Sequence, residues 1–149
     1  MSSTNNLPGS RSLGALQPYG MTVLRIVIGI VFSYHGYMKL FKMGIGGTTG
    51  FFTHLGIPLP TFTAWLVCLV ETLGGLALIL GIFTPVVGAA LAIDMLGVIY
   101  FAKGVSGGLV GPKGYELELT LFAAAVAVAL TGPGALALGN LIGRRKTAT

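Results

Sequence analysis

The sequence predicts an all-α membrane protein: a bundle of four transmembrane helices with a short interfacial helix in the first loop. Three observations lead to that fold class. Of the 149 residues, 54% are hydrophobic and only 9% are charged, whereas a soluble domain carries roughly 25% charged residues to cover its surface. A spanning helix takes about 20 mostly apolar residues, and the chain holds apolar stretches of that order separated by Gly- and Pro-bearing connections. Glycine is abundant, with 24 copies, and membrane helices use small residues to bring their backbones close.

The elements follow in chain order. Residues 1–20 are polar and carry Gly and Pro, with no apolar core of signal-peptide length, and read as a poorly ordered or surface-lying lead-in to a membrane domain at 21–142. The first span runs from about Met21 to Phe41 and contains Arg25, His35 and Lys39, so it is more than a lipid anchor. The connection from Lys42 to Pro60 is Gly-rich. Within it, Thr49 to Leu55 suits a short interfacial helix with Phe51, Phe52 and Leu55 turned to the bilayer. A second span, Pro60 to Leu80, opens on proline, as helix starts allow, and is interrupted only by Glu71. Gly81 can end that helix, and Thr84 with Pro85 can start the next, which makes the second and third spans an antiparallel hairpin. The third span, Thr84 to Ala102, is interrupted only by Asp94. After a second Gly-rich loop, a fourth span starts near Tyr115 and runs to about Leu130. Gly132-Pro133-Gly134 ends or breaks it, and the chain from Ala135 to Ile142 continues along or into the membrane edge.

An even number of spans puts both termini on one side. The basic tail at 143–149, with Arg144, Arg145 and Lys146, favours the cytoplasmic side of a cell inner (plasma) membrane. Such a tail meets anionic lipid rather than nucleic acid.

The charges inside the spans are the candidates for function. At the helical rise, Glu71 lies roughly 16 Å into the second span and Asp94 roughly 15 Å into the third, both near the bilayer midplane. An unpaired carboxylate there costs about 3 kcal/mol or more. Arg25, Gly29, Phe32, Gly36 and Lys39 recur at spacings of four and three, so they share one face of the first span, with His35 at its edge. The guanidinium of Arg25, a planar fork for carboxylates, is the natural partner of Glu71. Lys39 and His35 then face Glu116 or Glu118. Asp94 has no cation at its depth, which leaves a protonated acid or a polar cavity. The candidate buried polar site is therefore Arg25, His35, Lys39, Glu71, Asp94 and Glu116. The bland alternative stays open beside it: ion pairs that fix helix register, a lysine reaching the headgroups, and a histidine held by structural hydrogen bonds. The single cysteine, Cys68, excludes an internal disulfide. No CxxCH haem motif, Cys/His cluster, Gly-rich nucleotide loop or GxSxG motif is present, so no metal site is expected.

Leu24-Arg25, Gly29, Phe32, His35-Gly36 and Lys39-Leu40 open an ordered set of residues. Phe51-Phe52 and Leu55-Gly56-Ile57-Pro58 follow, then Glu71, Gly74-Gly75, Gly81 and Thr84, then Gly114-Tyr115-Glu116, and last Thr131-Gly132-Pro133-Gly134. In this order and spacing the chain resembles the DoxX family of small four-helix membrane proteins over about residues 21–141. The family pattern ends with a Ser and an Asp after the Gly-Pro-Gly turn; here Ala137 and Gly139 stand in those places. The resemblance implies a membrane redox setting: a terminal quinol oxidase, thiosulfate:quinone oxidoreduction, or an oxidative-stress complex. The expected function is an accessory subunit of a quinone-linked electron-transfer complex, shaping a quinone or lipid site. The alternatives are a catalytic quinone oxidoreductase component acting on thiosulfate or another donor, and a small transporter or lipid-handling protein. Expected partners are membrane lipid and a larger membrane redox complex or further copies of the chain. Quinone is the expected cofactor.

Overall fold

The structure, a computed structural model, describes residues 10–104 and 108–140. The start of the polar lead-in and the basic tail at 143–149 lie outside those residues. The regular structure among the described residues is entirely helical, with no strand among them. Helix α1 covers Ser10–Tyr37 and continues through a π-helical turn, Met38–Lys42. Helix α2 is Gly44–His54. Helix α3 occupies Pro60–Leu80, with a π turn at Val70–Gly74. Helix α4 runs over Thr84–Lys103, its last part the π turn Val98–Lys103. Helix α5 is Glu116–Thr131.

Three helices have the length and apolar character to cross a bilayer: Gly14–Lys42, Pro60–Leu80 and Thr84–Lys103. The fourth, α5, is apolar but has 16 residues, roughly 24 Å, somewhat short of the roughly 30 Å hydrocarbon core. The molecule is thus all-helical with three to four apolar helices of crossing length.

Helix α1 begins well before Met21. The polar composition of the lead-in predicts hydration and says little about conformation, and Leu13, Ala15, Leu16 and Gln17 are good helix formers. Pro18 sits inside the helix. Its carbonyl receives the Thr22 hydroxyl at 2.9 Å and the Ala135 amide at 3.1 Å, so the chain beyond α5 returns onto α1. Helix α2 starts earlier than Thr49, and only part of its apolar face turns outward: Phe51 is exposed, whereas Phe52 is buried.

Packing runs through small residues. A Cβ on Gly29 would meet the Gly75 carbonyl oxygen at 2.8 Å, and one on Gly36 would meet the Thr72 amide nitrogen at 2.6 Å. The face of α1 expected to admit a close neighbour therefore does so, and the neighbour is α3. The buried core joins Ile28 and Phe32 of α1 to Leu78 of α3, Leu91 and Met95 of α4, and Leu121, Ala125 and Val128 of α5. Large apolar side chains such as Val27, Ile30, Leu73, Val86, Ile93 and Leu130 point outward, the reverse of a water-facing surface.

The α3–α4 turn forms as the sequence indicates. Gly81 adopts φ 74°, its amide donates to the Leu78 carbonyl at 3.0 Å, and the Ile82 amide donates to Ala77 at 3.0 Å. These two bonds are the helix-ending pattern that calls for glycine in the left-handed region.

Candidate functional site

The charged residues separate into two groups at opposite ends of the bundle. At one end, the side chain of Lys39 comes from the π turn of α1 and meets Glu71 in the π turn of α3. The ammonium nitrogen lies 2.6 Å from each carboxylate oxygen. Glu71 is 1% exposed and Lys39 19%. Thr48 of α2 donates its hydroxyl to the Lys39 carbonyl at 3.0 Å, which fastens α2 beside the pair. π turns displace a residue from the regular helical register and recur at functional sites. Here they carry both partners of the pair, and Lys103 lies in the third such turn.

The pair lies on the wall of a cavity of about 530 Å³, within the range of small-molecule sites. All five helices contribute to its lining. Phe32, Phe51, Phe52, Val67, Val70, Ile93, Met95, Phe101 and Leu121 make it apolar, and His35, Lys39, Glu71, Asp94 and Glu118 are its charged or titratable groups. Asp94 stands close enough to Glu71 and Lys39 to feel both charges. Its Oδ2 atom is buried, and its carboxyl is a hydrogen-bonding neighbour of the Glu71 carboxyl. Glu118 pairs through Oε1 with Lys103 at 3.5 Å, while its Oε2 is likewise buried. Among the described residues, no group of three or more metal-ligating side chains is arranged to hold a metal ion.

At the other end Arg25 is fully buried and bonds no carboxylate. Its guanidinium donates to the carbonyls of Leu78, Ile79 (2.9 Å) and Leu136 (2.5 Å). The first two belong to the last turn of α3, which carries the negative end of the helix dipole, and the Leu78 carbonyl is shared with the Gly81 amide. Arg25 thus caps α3 and ties it to the chain that follows α5. The expected Arg25–Glu71 pair is therefore absent: Arg25 and Lys39 are separated by roughly 21 Å along α1, and Lys39 is the one level with Glu71.

Two further expectations change. His35 is exposed, at the rim of the cavity and not in the bundle interior. Glu116 is also exposed, in the first turn of α5, where a negative charge suits the helix dipole. It meets neither Lys39 nor His35. Asp94 reaches the cavity, whose walls are mostly apolar. Of the six candidates, the structure brings His35, Lys39, Glu71 and Asp94 to one cavity and leaves Arg25 and Glu116 outside it.

Sequence reasoning left Glu118 as a secondary choice and passed over Lys103. The signal for Glu118 was there: Glu118, Leu121, Ala125 and Val128 recur at spacings of three, four and three, one helical face. The last three are buried, and Glu116, two residues away, falls off that face.

A multi-pass helical membrane protein with an ionic cavity between its helices is the class that fold and site define. The DoxX family model matches residues 20–104, more than half of the chain. A Bacillus subtilis protein with the name "Putative oxidoreductase CatD" is 32% identical over 127 residues, covering 85% of this chain and 90% of the relative. The Escherichia coli inner membrane protein YphA is 28% identical over 130 residues, covering 84% and 91%, and the inner membrane protein YqjF of the same organism is 30% identical over 135 residues, covering 87% and 97%. No solved structure matches. The chain belongs to the DoxX family.

Proposed function

We propose that this chain is a subunit of a quinone-linked electron-transfer assembly in the inner membrane, and that it binds the quinone ring in the cavity between its helices. The observation that carries this reading is the cavity itself: about 530 Å³ of mostly apolar space at whose wall the Lys39–Glu71 pair and the Asp94 carboxyl meet. Apolar and aromatic walls suit a lipid-soluble ring, and a few convergent polar groups fix its orientation. Several lining residues, among them Phe51, Leu66, Ile93 and Leu117, are exposed on the outer surface, which suits entry from the lipid.

In this reading α1, α3, α4 and α5 are four spans, α5 completed by the chain around residues 135–140. Helix α2 lies at the interface, and both termini face the cytoplasm. The quinone, when bound, supplies two-electron chemistry. Lys39 donates a hydrogen bond to a ring oxygen, Glu71 holds Lys39 in place, and Asp94 exchanges a proton with that oxygen. The helix connections are short, so the electron donor is assigned to a partner protein. The name of the Bacillus subtilis relative supports a redox setting, and those of the Escherichia coli relatives support the inner membrane.

The test is purification of the full chain in mild detergent. The expected result is that a quinone analogue binds the lone protein and that redox subunits accompany it from native membranes. Quinone reduction by the lone chain, given a donor, would move the reading from accessory subunit to enzyme. Absence of quinone binding would end it.

A further inference from the structure

The helix edges around the cavity are not equally closed. Between α1 and α3, a Cβ on Gly36 would already meet the Thr72 backbone. Between α4 and α5, a Cβ on Gly88 would meet the Ala125 carbonyl oxygen at 2.9 Å, and the Lys103–Glu118 pair spans the edge at 3.5 Å. Helices α1 and α5 pack on each other, with Phe32 and Leu121 buried in one core. The edge between α3 and α4 changes along its length. Helix α4 packs on the second half of α3, where a Cβ on Gly74 would lie 3.2 Å from Val87 and 3.9 Å from Leu91. The first half, Pro60–Leu69, packs chiefly on α2 instead. Counted in antiparallel register from the Gly74 contact, Leu66 comes level with Gly97 and Val70 with Ile93. A Cβ on Gly97 would meet nothing within 4 Å. The hairpin is therefore pinched near its turn and parted towards the Lys39 end.

This gap is continuous with the cavity. Thr63, Leu66 and Val70 line it on one side and Ala90, Ile93 and Gly97 on the other, each set recurring at spacings of three and four on one helical face. Leu66 is 49% exposed and Ile93 70%, so the gap reaches the outer surface. Leu66 and Gly97 each lie six residues in from an end of their span, roughly 9 Å. The gap thus opens on acyl chains, below the headgroups. Of its six residues only Thr63 is polar, and the Glu71 and Asp94 carboxyls lie further in.

We infer that this gap is the lateral doorway of the cavity and, once a ligand is bound, the seat of its hydrocarbon tail. The cavity takes a ring that carries an apolar chain, and the chain leaves the protein between α3 and α4. This rests on the quinone-site reading and deepens it. A lipid chain gains no hydrophobic energy by moving from the bilayer into an apolar groove. What seats the tail is its attachment to a ring fixed at the polar wall, which an ordinary phospholipid lacks.

The experiment uses the full chain in lipid nanodiscs. A benzoquinone whose decyl tail ends in a diazirine is bound, irradiated and mapped by mass spectrometry, with unlabelled decyl-benzoquinone as competitor. The expected result is competed adducts within residues 63–70 and 90–97. Leu66→Trp narrows the gap at its lip and should weaken the tailed quinone at least about tenfold, while a tailless dimethoxy-methyl-benzoquinone binds as before. Each ligand is compared across variants, so its partition into the bilayer cancels. Leu69→Trp, at an exposed position outside the cavity lining, should change neither. Competed adducts confined to α2, or to His35 and Leu117, would route the tail past another edge and overturn the inference, with the quinone-site reading intact. Adducts that the competitor does not remove would also overturn it, since they mark a gap filled by ordinary lipid. Equal weakening of both ligands by Leu66→Trp would count the same way. Binding of neither quinone to the unmodified protein would overturn the quinone-site reading as well.

Discussion

Consider removal of one partner from the Lys39–Glu71 pair. Glu71 is 1% exposed and accepts from Lys39 through both oxygens at 2.6 Å, so Glu71 has no water to fall back on when Lys39 is cut short. Lys39→Met strands a carboxylate on the wall of the apolar cavity, and Glu71→Met strands an ammonium. Breaking a buried pair costs about 3–5 kcal/mol, because the remaining charge is left uncompensated, whereas replacing both partners by apolar groups can be close to neutral. Against a total stability of about 5–15 kcal/mol, each single variant loses a large share and the double variant Lys39→Met/Glu71→Met little. The double-mutant cycle should therefore give a coupling energy of about 6 kcal/mol or more, the two single losses less the small loss of the double variant. It is measured by thermal unfolding in detergent, followed by helical circular dichroism, with accumulation in the membrane as a second readout. Additive single effects, or single variants as stable as the parent, would show that the pair is not the ionic unit its geometry describes. Recovery of stability in the double variant together with loss of quinone-analogue binding would separate the structural from the functional share of the pair.

Other perturbations probe different parts of the molecule. Arg25→Met removes the donors to the Leu78, Ile79 and Leu136 carbonyls and should cost about 3 kcal/mol or more, seen as a lowered midpoint in the same unfolding assay and earlier proteolysis near the Gly132-Pro133-Gly134 turn, with ligand affinity unchanged in the protein that remains folded. Gly36→Ala places a Cβ 2.6 Å from the Thr72 amide nitrogen and should destabilise by about 1–3 kcal/mol, whereas Gly97→Ala, with nothing within 4 Å, should be neutral or gain up to about 1 kcal/mol of helix propensity. Gly97→Leu fills the cavity from the α4 wall, so ligand binding should fall at least about tenfold while the thermal midpoint holds.

The sequence displayed its helices, its hairpin turn and the face of α1 that meets a neighbour, because these depend on local composition and spacing. Gly81 at the end of α3, and Gly29 with Gly36 on α1, each stand where the pattern put them. Partner choice was less legible, because it depends on register between helices. Arg25 and Glu71 were matched by chemistry, yet the competitors for the guanidinium were main-chain carbonyls, which carry no side-chain signature. Only the helix end foreshadowed by Gly81 hinted at them. The depth argument for Asp94 found no cation at its level, yet Lys39 reaches in to Glu71 and lies near enough for Asp94 to feel its charge. The π turns could not be read at all: an extra residue per turn shifts Lys39, Glu71 and Lys103 off the regular helical face, and face counting at a period of 3.6 residues loses accuracy where those residues lie.

The two charged ends of the molecule answer different physical demands. Arg25 is consumed in holding structure: its donors go to carbonyls of the helix end and of the returning chain, and no ligand could take them without unfastening α3 from the chain beyond α5. The Lys39 end is built the other way. Its helices leave regular geometry there, and its charged groups line open space instead of main-chain carbonyls. A purely structural network would be expected to close on itself, since each unsatisfied buried group costs stability. The Arg25 clamp shows that this chain can place a buried cation where several acceptors meet it. At the other end the Lys39–Glu71 pair, Asp94 and Glu118 border a cavity of about 530 Å³, which locates the part of the protein open to a ligand at the level of the three π turns.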